Sequence, residues 1–387
     1  MTGVTPRLYV RLAILAVGLF IVGTNGFMIA GLLPDIAKTL DVHTSDVGYT
    51  ITFYSIVVAV AAPAMPILFP RMPRTTLMVG GLLLIAGGTF LAAAAPTLLV
   101  FTIGRVLAGF GGAALVPTAT AAAASLASPE RRGRAIAFVG VGFTAATAFG
   151  APLGTAVAAA GSWRIPLVAL ATLSVIIAIA AAVFVRQVPI GAPVSIGRRF
   201  AVLGNPGIAL ALLTTTFVVS AFNMVYIFSS AITGTSGTVL AALLLAFGVA
   251  GILGNVVSGR LVDRFGGRVV GVVFLGAQAL IFAFIPLAAA QFVTTIVVFA
   301  IWGIASNGGL LPIQHRLVEI DPALSGVALS WFSTALYAGI ALAPPLGALA
   351  MHLGDAALVP LVAAGLTVIG AGLFLAGYLV RRRSAIA

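Results

Sequence analysis

Cysteine is absent from this 387-residue chain, and charge is scarce: 8 acids and 20 Lys or Arg make up 7% of it. The first absence excludes disulfides, iron–sulfur clusters and thiolate metal sites. The second excludes an ordinary soluble protein, in which about a quarter of residues are charged. So few charges cannot cover a water-facing surface, and lipid must be the solvent for most of the chain. Three scattered His and no cluster of carboxylates leave no ligand set for a catalytic metal, and no cofactor is expected. An enzyme is not expected either, because no nucleophile stands paired with a base. The Gly-x-x-x-x-Gly-Lys loop that cradles phosphates is missing too, so ATP drive within this chain is excluded. A net charge of +12 is compatible with nucleic acid, but the arginines fall in short loops between apolar segments, as topology signals do. No nucleic-acid partner is expected.

What is present is apolar sequence from end to end, 61% of all residues. About 20 apolar residues span a bilayer as a helix. Twelve spans are predicted: 9–33, 46–70, 75–95, 98–126, 135–160, 165–185, 206–231, 238–262, 268–289, 291–313, 323–350 and 356–380. The first is too long for the core of a cleaved signal peptide. With the N-terminus in the cytoplasm, only Lys38 and Arg164 of the 20 Lys and Arg fall outside, and Arg105 falls within the membrane. The remaining 17 are cytoplasmic, which sets the orientation and places both termini inside. The longest polar break, 186–205, carries Pro189, Gly191, Pro193, Gly197, Arg198 and Arg199 near the midpoint. It separates six-span halves at 1–185 and 206–387. Such halves are related by an axis normal to the membrane, with substrate bound between them near the midplane. The expected class is therefore an all-α polytopic membrane protein of twelve transmembrane helices in two six-helix halves.

Arg105 is the one charge deep in an apolar run, about two turns from one end of span 4. A buried arginine in hydrocarbon costs several kcal/mol and survives only facing protein or a water-filled cavity. Gly104, Gly109, Gly111 and Gly112 around it remove side chains where helices must come close. Two roles fit: a structural charge bonded to backbone carbonyls, or a coupling residue that tunes a carboxylate's proton affinity. Asp35 is the acid nearest membrane depth on the outer side and is the candidate partner; it is otherwise a helix-end residue after Pro34. Polar and aromatic residues at mid-span are candidates for lining a substrate cavity: Asn25, Tyr54, Asn223, Tyr226, Asn307, Gln314, Trp331 and Tyr337. Each could equally make only an interhelical hydrogen bond. His43, His315 and His352 sit at span ends and read as interfacial.

Several motifs are recognisable in order along the chain. Gly259-Arg-Leu-Val-Asp263-Arg264-Phe-Gly266-Gly-Arg268 resembles the Gly-x-Leu-x-Asp-Arg-x-Gly-Arg loop of the major facilitator superfamily. In the first half Arg71-Met-Pro-Arg74 takes the same slot. Gly104-Arg105-Val-Leu-Ala-Gly109 resembles the span-4 motif of proton-driven members. Gly142 and Gly150-Ala-Pro152-Leu-Gly154 resemble the Gly-Pro-rich motif of the exporting, antiporter branch. With Gly31-Leu-Leu-Pro34-Asp35, Gly161-Ser-Trp163-Arg164 and Leu311-Pro-Ile-Gln314, they are most similar to bacterial drug and sugar efflux proteins of the arabinose and chloramphenicol exporter type. The resemblance implies a monomeric secondary exporter in the bacterial inner membrane, moving a small amphipathic or sugar-like solute outward against protons. A proton-independent facilitator or importer, and a non-transporting sensor or scaffold, are the alternatives. It also implies roles. Gly142, Gly150, Pro152 and Gly154 form a gating seam, and Gly259, Asp263, Arg264, Gly266 and Arg268 form a cytoplasmic latch. Asp35 and Arg105 would couple protons. One departure bears on coupling: the span-1 slot that often holds an acid in this group reads Thr24-Asn25-Gly26-Phe27, with Gly26 in the acidic position.

Overall fold

In a bilayer every backbone N–H and C=O must find its partner inside the chain, and apolar segments of this length do so as helices. The computed structural model describes residues 6–128, 131–186, 188, 196–288 and 291–384. Among them twelve helices are long and apolar enough to cross a membrane. The chain divides into two compact units, Met1–Pro193 and Val194–Ala387. Of the expected inter-half loop 186–205, residues 187 and 189–195 lie outside the described residues.

The first unit holds α1 (Pro6–Leu40), α2 (Thr44–Leu68), α3 (Arg74–Ala93) and α4 (Leu98–Leu126). α5 (Arg132–Ala159) and α6 (Arg164–Phe184) complete it. Its closest helix approaches are lined by glycines facing backbones. On α3 and α4, Gly81 and Gly88 lie against Gly111 and Gly104; a Cβ added to Gly88 would come within 2.6 Å of the Ala108 nitrogen. These glycines are seven residues apart on each helix, so two antiparallel helices touch twice on one face. Gly109 turns to α2, where its Cβ would meet the Tyr54 carbonyl at 3.0 Å. The glycines around Arg105 thus clear room for neighbouring helices. Polar side chains tie the helix ends together. Arg74 donates to the Ala121 carbonyl at 2.9 Å and Ser125 at 3.1 Å. Trp163 donates from Nε1 to Thr39 at 3.0 Å, and Arg164 donates to the Ala95 carbonyl at 3.0 Å.

The second unit opens with a short helix, Ile196–Ala201, and holds α7 (Pro206–Ile227), α8 (Gly237–Phe265) and α9 (Gly267–Ala288). α10 (Phe292–Ile320), α11 (Ser325–Leu353) and α12 (Leu358–Ser384) follow. Part of its core is an aromatic cluster. Trp302 of α10 is fully buried, with Phe247 of α8 4.3 Å away between ring centroids, Phe299 at 5.2 Å and Phe282 of α9 at 5.9 Å. Helix starts follow capping chemistry: Asn205 accepts from Gly207 N–H at 2.9 Å, with Pro206 in the first turn. α8 ends at Gly266, whose φ of 80° needs glycine.

Two helices run well past their predicted ends. α1 continues through Pro34 to Leu40, and α10 continues from 313 to Ile320. Hydropathy reports where lipid ends, whereas backbone hydrogen bonding carries a helix on into the interface. Arg316, counted among the loop arginines from sequence, is therefore a buried helical residue at 2% exposure.

Candidate functional site

At the seam between α1 and α5, glycines of each helix lie against atoms of the other. A Cβ on Gly142 would strike the Ala16 carbonyl, one on Gly150 the Thr24 hydroxyl, and one on Gly154 the Met28 thioether. From the other side, Gly23 would strike Ala146 at 2.6 Å, and Gly31 would strike Thr155. Residues 142, 146, 150 and 154 of α5 all face α1, a spacing of four that an unbroken α-helix does not hold on one face. At about 100° per residue, Gly154 would sit roughly 120° round from Gly142. The structure resolves this with a π-turn over Ala146–Gly150, closed by the Ala151 N–H on the Ala146 carbonyl. A π-turn absorbs one residue, and the offset shrinks to roughly 20°. Pro152 follows at once; having no N–H, it cannot make the regular bond back to residue 148. Ala146, missed in the sequence, was findable from the period of four.

Arg105 lies beside this seam. It is 1% exposed. Its Nη1 donates to the Asn25 carbonyl oxygen at 2.8 Å and also to Asn25 Oδ1. Asn25 Nδ2 donates onward to Thr89 Oγ1 at 2.6 Å. The guanidinium carbon stands 4.4 Å from the centroid of the Tyr54 ring, a cation–π contact. Four helices therefore meet at one cation: α1 through Asn25, α2 through Tyr54, α3 through Thr89 and α4 through Arg105. Thr24, next to Asn25, is the residue against which Gly150 of the π-turn rests. Thr89 carries no sequence signal of this role, being one more Thr in an apolar run.

Asp35 is not brought to Arg105. It is exposed on α1, ten residues beyond Asn25, about 15 Å along a helix. Its backbone carbonyl accepts from the Thr39 hydroxyl at 2.7 Å, and its side chain makes no hydrogen bond or ion pair among the described residues. The other described acids also sit at helix ends. Asp46, Asp321 and Asp355 accept backbone N–H groups at helix starts. Glu319 pairs with Arg316 at 3.2 Å. The arginine expected to face a carboxylate faces a carboxamide.

In the second unit the latch residues Asp263, Arg264, Gly266 and Arg268 are exposed. Asp263 makes no hydrogen bond or ion pair among the described residues, while Arg268 approaches the Tyr378 ring at 5.8 Å. The buried charge at this end of the unit is Arg316. It donates to the Gly377 carbonyl at 2.9 Å and lies 4.1 Å over the Tyr378 ring. Of the cavity candidates, Asn223 and Asn307 donate to carbonyls one turn back, Val219 at 2.9 Å and Gly303 at 3.2 Å. Tyr226 packs 5.4 Å from Phe247 in the aromatic core. Trp331 donates to the Arg199 carbonyl at 2.9 Å and so pins the short helix Ile196–Ala201 onto α11. Tyr337 is buried, and Gln314 is half-buried.

Two six-helix units, glycine-lined helix contacts and a cation buried within a span are the construction of a membrane transporter. Residues 15–344 and 208–386 match the Major Facilitator Superfamily. YbcL of Bacillus subtilis (strain 168), an uncharacterized MFS-type transporter, is 31% identical over 342 residues, 85% of this chain and 87% of its own. YdhP, an inner membrane transport protein of Escherichia coli (strain K12), is 29% identical over 321 residues, 82% of each chain. A bacterial homologue of the human lysosomal transporter Spinster, solved inward-facing and unoccupied, matches with a TM-score of 0.74 at 16% identity. That match covers 97% of this chain and 98% of the other. The nucleoside transporter NupG matches with a TM-score of 0.78 at 15% identity, over 96% and 100%. At those identities the two structures speak for the fold alone. The chain belongs to the major facilitator superfamily: it is a multi-pass membrane transporter and not an enzyme.

Proposed function

We propose that the protein is a secondary exporter of a small amphipathic or sugar-like solute, driven by inward proton flow and working by alternating access in the bacterial inner membrane. The observation that carries export is the α1–α5 seam. Its glycines and Pro152 match the pattern of the exporting branch, and the π-turn gives that pattern a physical use, holding two backbones in contact along four turns. A seam this close blocks leak while the halves change conformation. Strains lacking or overproducing the protein, screened against antibiotics and sugars, test the reading. Overproduction should raise tolerance to the exported solute and lower its cellular level; a rise in cellular accumulation instead would make the protein an importer.

A second reading is favoured by one specific observation, that Arg105 faces Asn25 and no carboxylate. On it, the protein exchanges or equilibrates solute without protons. The two readings part in proteoliposomes under a pH gradient, where the second predicts no accumulation by the wild type; Asp35→Asn then tests the carboxylate. If protons drive transport through this carboxylate, the variant loses accumulation driven by a pH gradient and keeps downhill exchange. Full accumulation in the variant removes Asp35 from the mechanism.

A further inference from the structure

A guanidinium carries five N–H donors, and Arg105 spends only Nη1. Its Nε and Nη2 atoms are buried and have no hydrogen-bond partner. These two atoms form one edge of the planar group, the fork that meets a carboxylate through two parallel hydrogen bonds. The surroundings supply dipoles and a π-face but no negative charge. Asn25 is neutral, Thr89 is neutral, and no acid among the described residues lies within ion-pair distance of Arg105. The Tyr54 hydroxyl and the Ser55 hydroxyl, on the helix that faces Arg105, are also buried without partners. The Tyr54 hydroxyl lies 3.1 Å from where a Gly112 Cβ would stand, on α4 two turns beyond Arg105. A buried charge left unneutralised is among the costliest features a fold can hold. Here the cation and its unused fork lie against the Tyr54 ring, within the first unit.

We propose that the Nε–Nη2 edge of Arg105 binds one monovalent anion, a carboxylate or an ion of halide size, which completes the neutralisation that Asn25 cannot supply. The inference rests on the transporter reading, but on neither of its coupling schemes. The fork is covered in this structure, so the bound anion sheds its water. That favours a weakly hydrated monovalent anion over sulfate or phosphate, whose desolvation is more costly. The anion has two sources: the carboxylate of the transported solute itself, or a resident inorganic ion such as chloride.

Thermal unfolding of the purified full-length protein in detergent tests the site. Benzoate, acetate or chloride is titrated at constant ionic strength, with sodium sulfate as the balancing salt. The wild type should show a saturable rise of roughly 3–5 °C, as a ligand binding only the folded state produces at about 100 times its Kd. Asn25→Asp places a fixed counter-charge on the guanidinium. It should raise the midpoint without added anion and abolish the response, while also reporting the background effect of the salts. Arg105→Lys, which keeps the charge but loses the fork, should lose the benzoate response. A flat wild-type titration with all three anions overturns the proposal. So does a response that persists undiminished in both variants. Counterflow of labelled benzoate into loaded proteoliposomes then separates the sources. Uptake that chloride inhibits assigns the anion to the solute, and stabilisation by benzoate and chloride without benzoate uptake assigns it to a resident ion. Failure of the export screen would leave these binding results intact, so the two readings fail separately.

Discussion

Arg105 and Arg316 are both almost wholly buried, yet their surroundings treat them differently. Arg316 has a carboxylate, a carbonyl and an aromatic ring: Glu319 at 3.2 Å, Gly377 O at 2.9 Å and Tyr378 at 4.1 Å. It ties α10 to α12 and acts as a bolt. Glu319 is 42% exposed, so losing its partner costs little. What is lost at the buried Gly377 carbonyl is a hydrogen bond from a charged donor, worth about 1.5–3 kcal/mol. Arg316→Met should therefore lower the unfolding midpoint by several degrees, and Arg316→Lys should recover only part of that loss. A midpoint unchanged in Arg316→Met would mean that α12 is held elsewhere. Arg105 was legible in the sequence because a lone charge in an apolar run has no topological use. Arg316 was not, because an arginine just past a predicted span looks like any loop arginine. What separates them is how far the helix runs, and that depends on backbone hydrogen bonds, which hydropathy does not see.

At the scale of the element, α5 shows most plainly what a pattern can and cannot tell. The small residues at 142, 150 and 154 announced close packing, and Pro152 announced a break in regular hydrogen bonding. Neither revealed which helix was the partner or that a π-turn would bring the stripe onto one face. The phase argument needs the extra residue to be placed, and only the backbone places it. A prediction follows from the two kinds of glycine on this helix. Gly150 is pressed against Thr24, while a Cβ on Gly140 would meet nothing within 4 Å. Gly150→Leu should force α1 and α5 apart, at the cost of about 1–3 kcal/mol usual for overpacking. Lower yield, a lower unfolding midpoint and at least a tenfold loss of transport should accompany it. Gly140→Leu should leave all three near wild type, because leucine also favours the helix over glycine. Equal behaviour of the two variants would show that the seam is not a tight contact in the membrane.

For the whole molecule the sequence carried the number of spans, since it follows from where charge interrupts apolar runs. It also carries an expected orientation. Every Lys and Arg outside the membrane except Lys38 and Arg164 falls on one side of the twelve-span arrangement, and such a bias sets topology during insertion. The absence of cysteine makes this directly measurable, because any introduced thiol is unique. Two sites suit the purpose. Ala94 is exposed in the turn between α3 and α4, on the side expected to face out. Gly133 is exposed in the first turn of α5, on the side expected to face the cytoplasm, and a Cβ there meets nothing within 4 Å. Neither substitution disturbs a side-chain hydrogen bond, so folding should be preserved. A membrane-impermeant maleimide should label Ala94→Cys in intact cells, and Gly133→Cys only after the membrane is opened. The reverse pattern would invert the molecule and place its arginine loops outside. Labelling of both from outside would mean that α4 does not cross the bilayer, and a buried Arg105 would then need no account in terms of lipid.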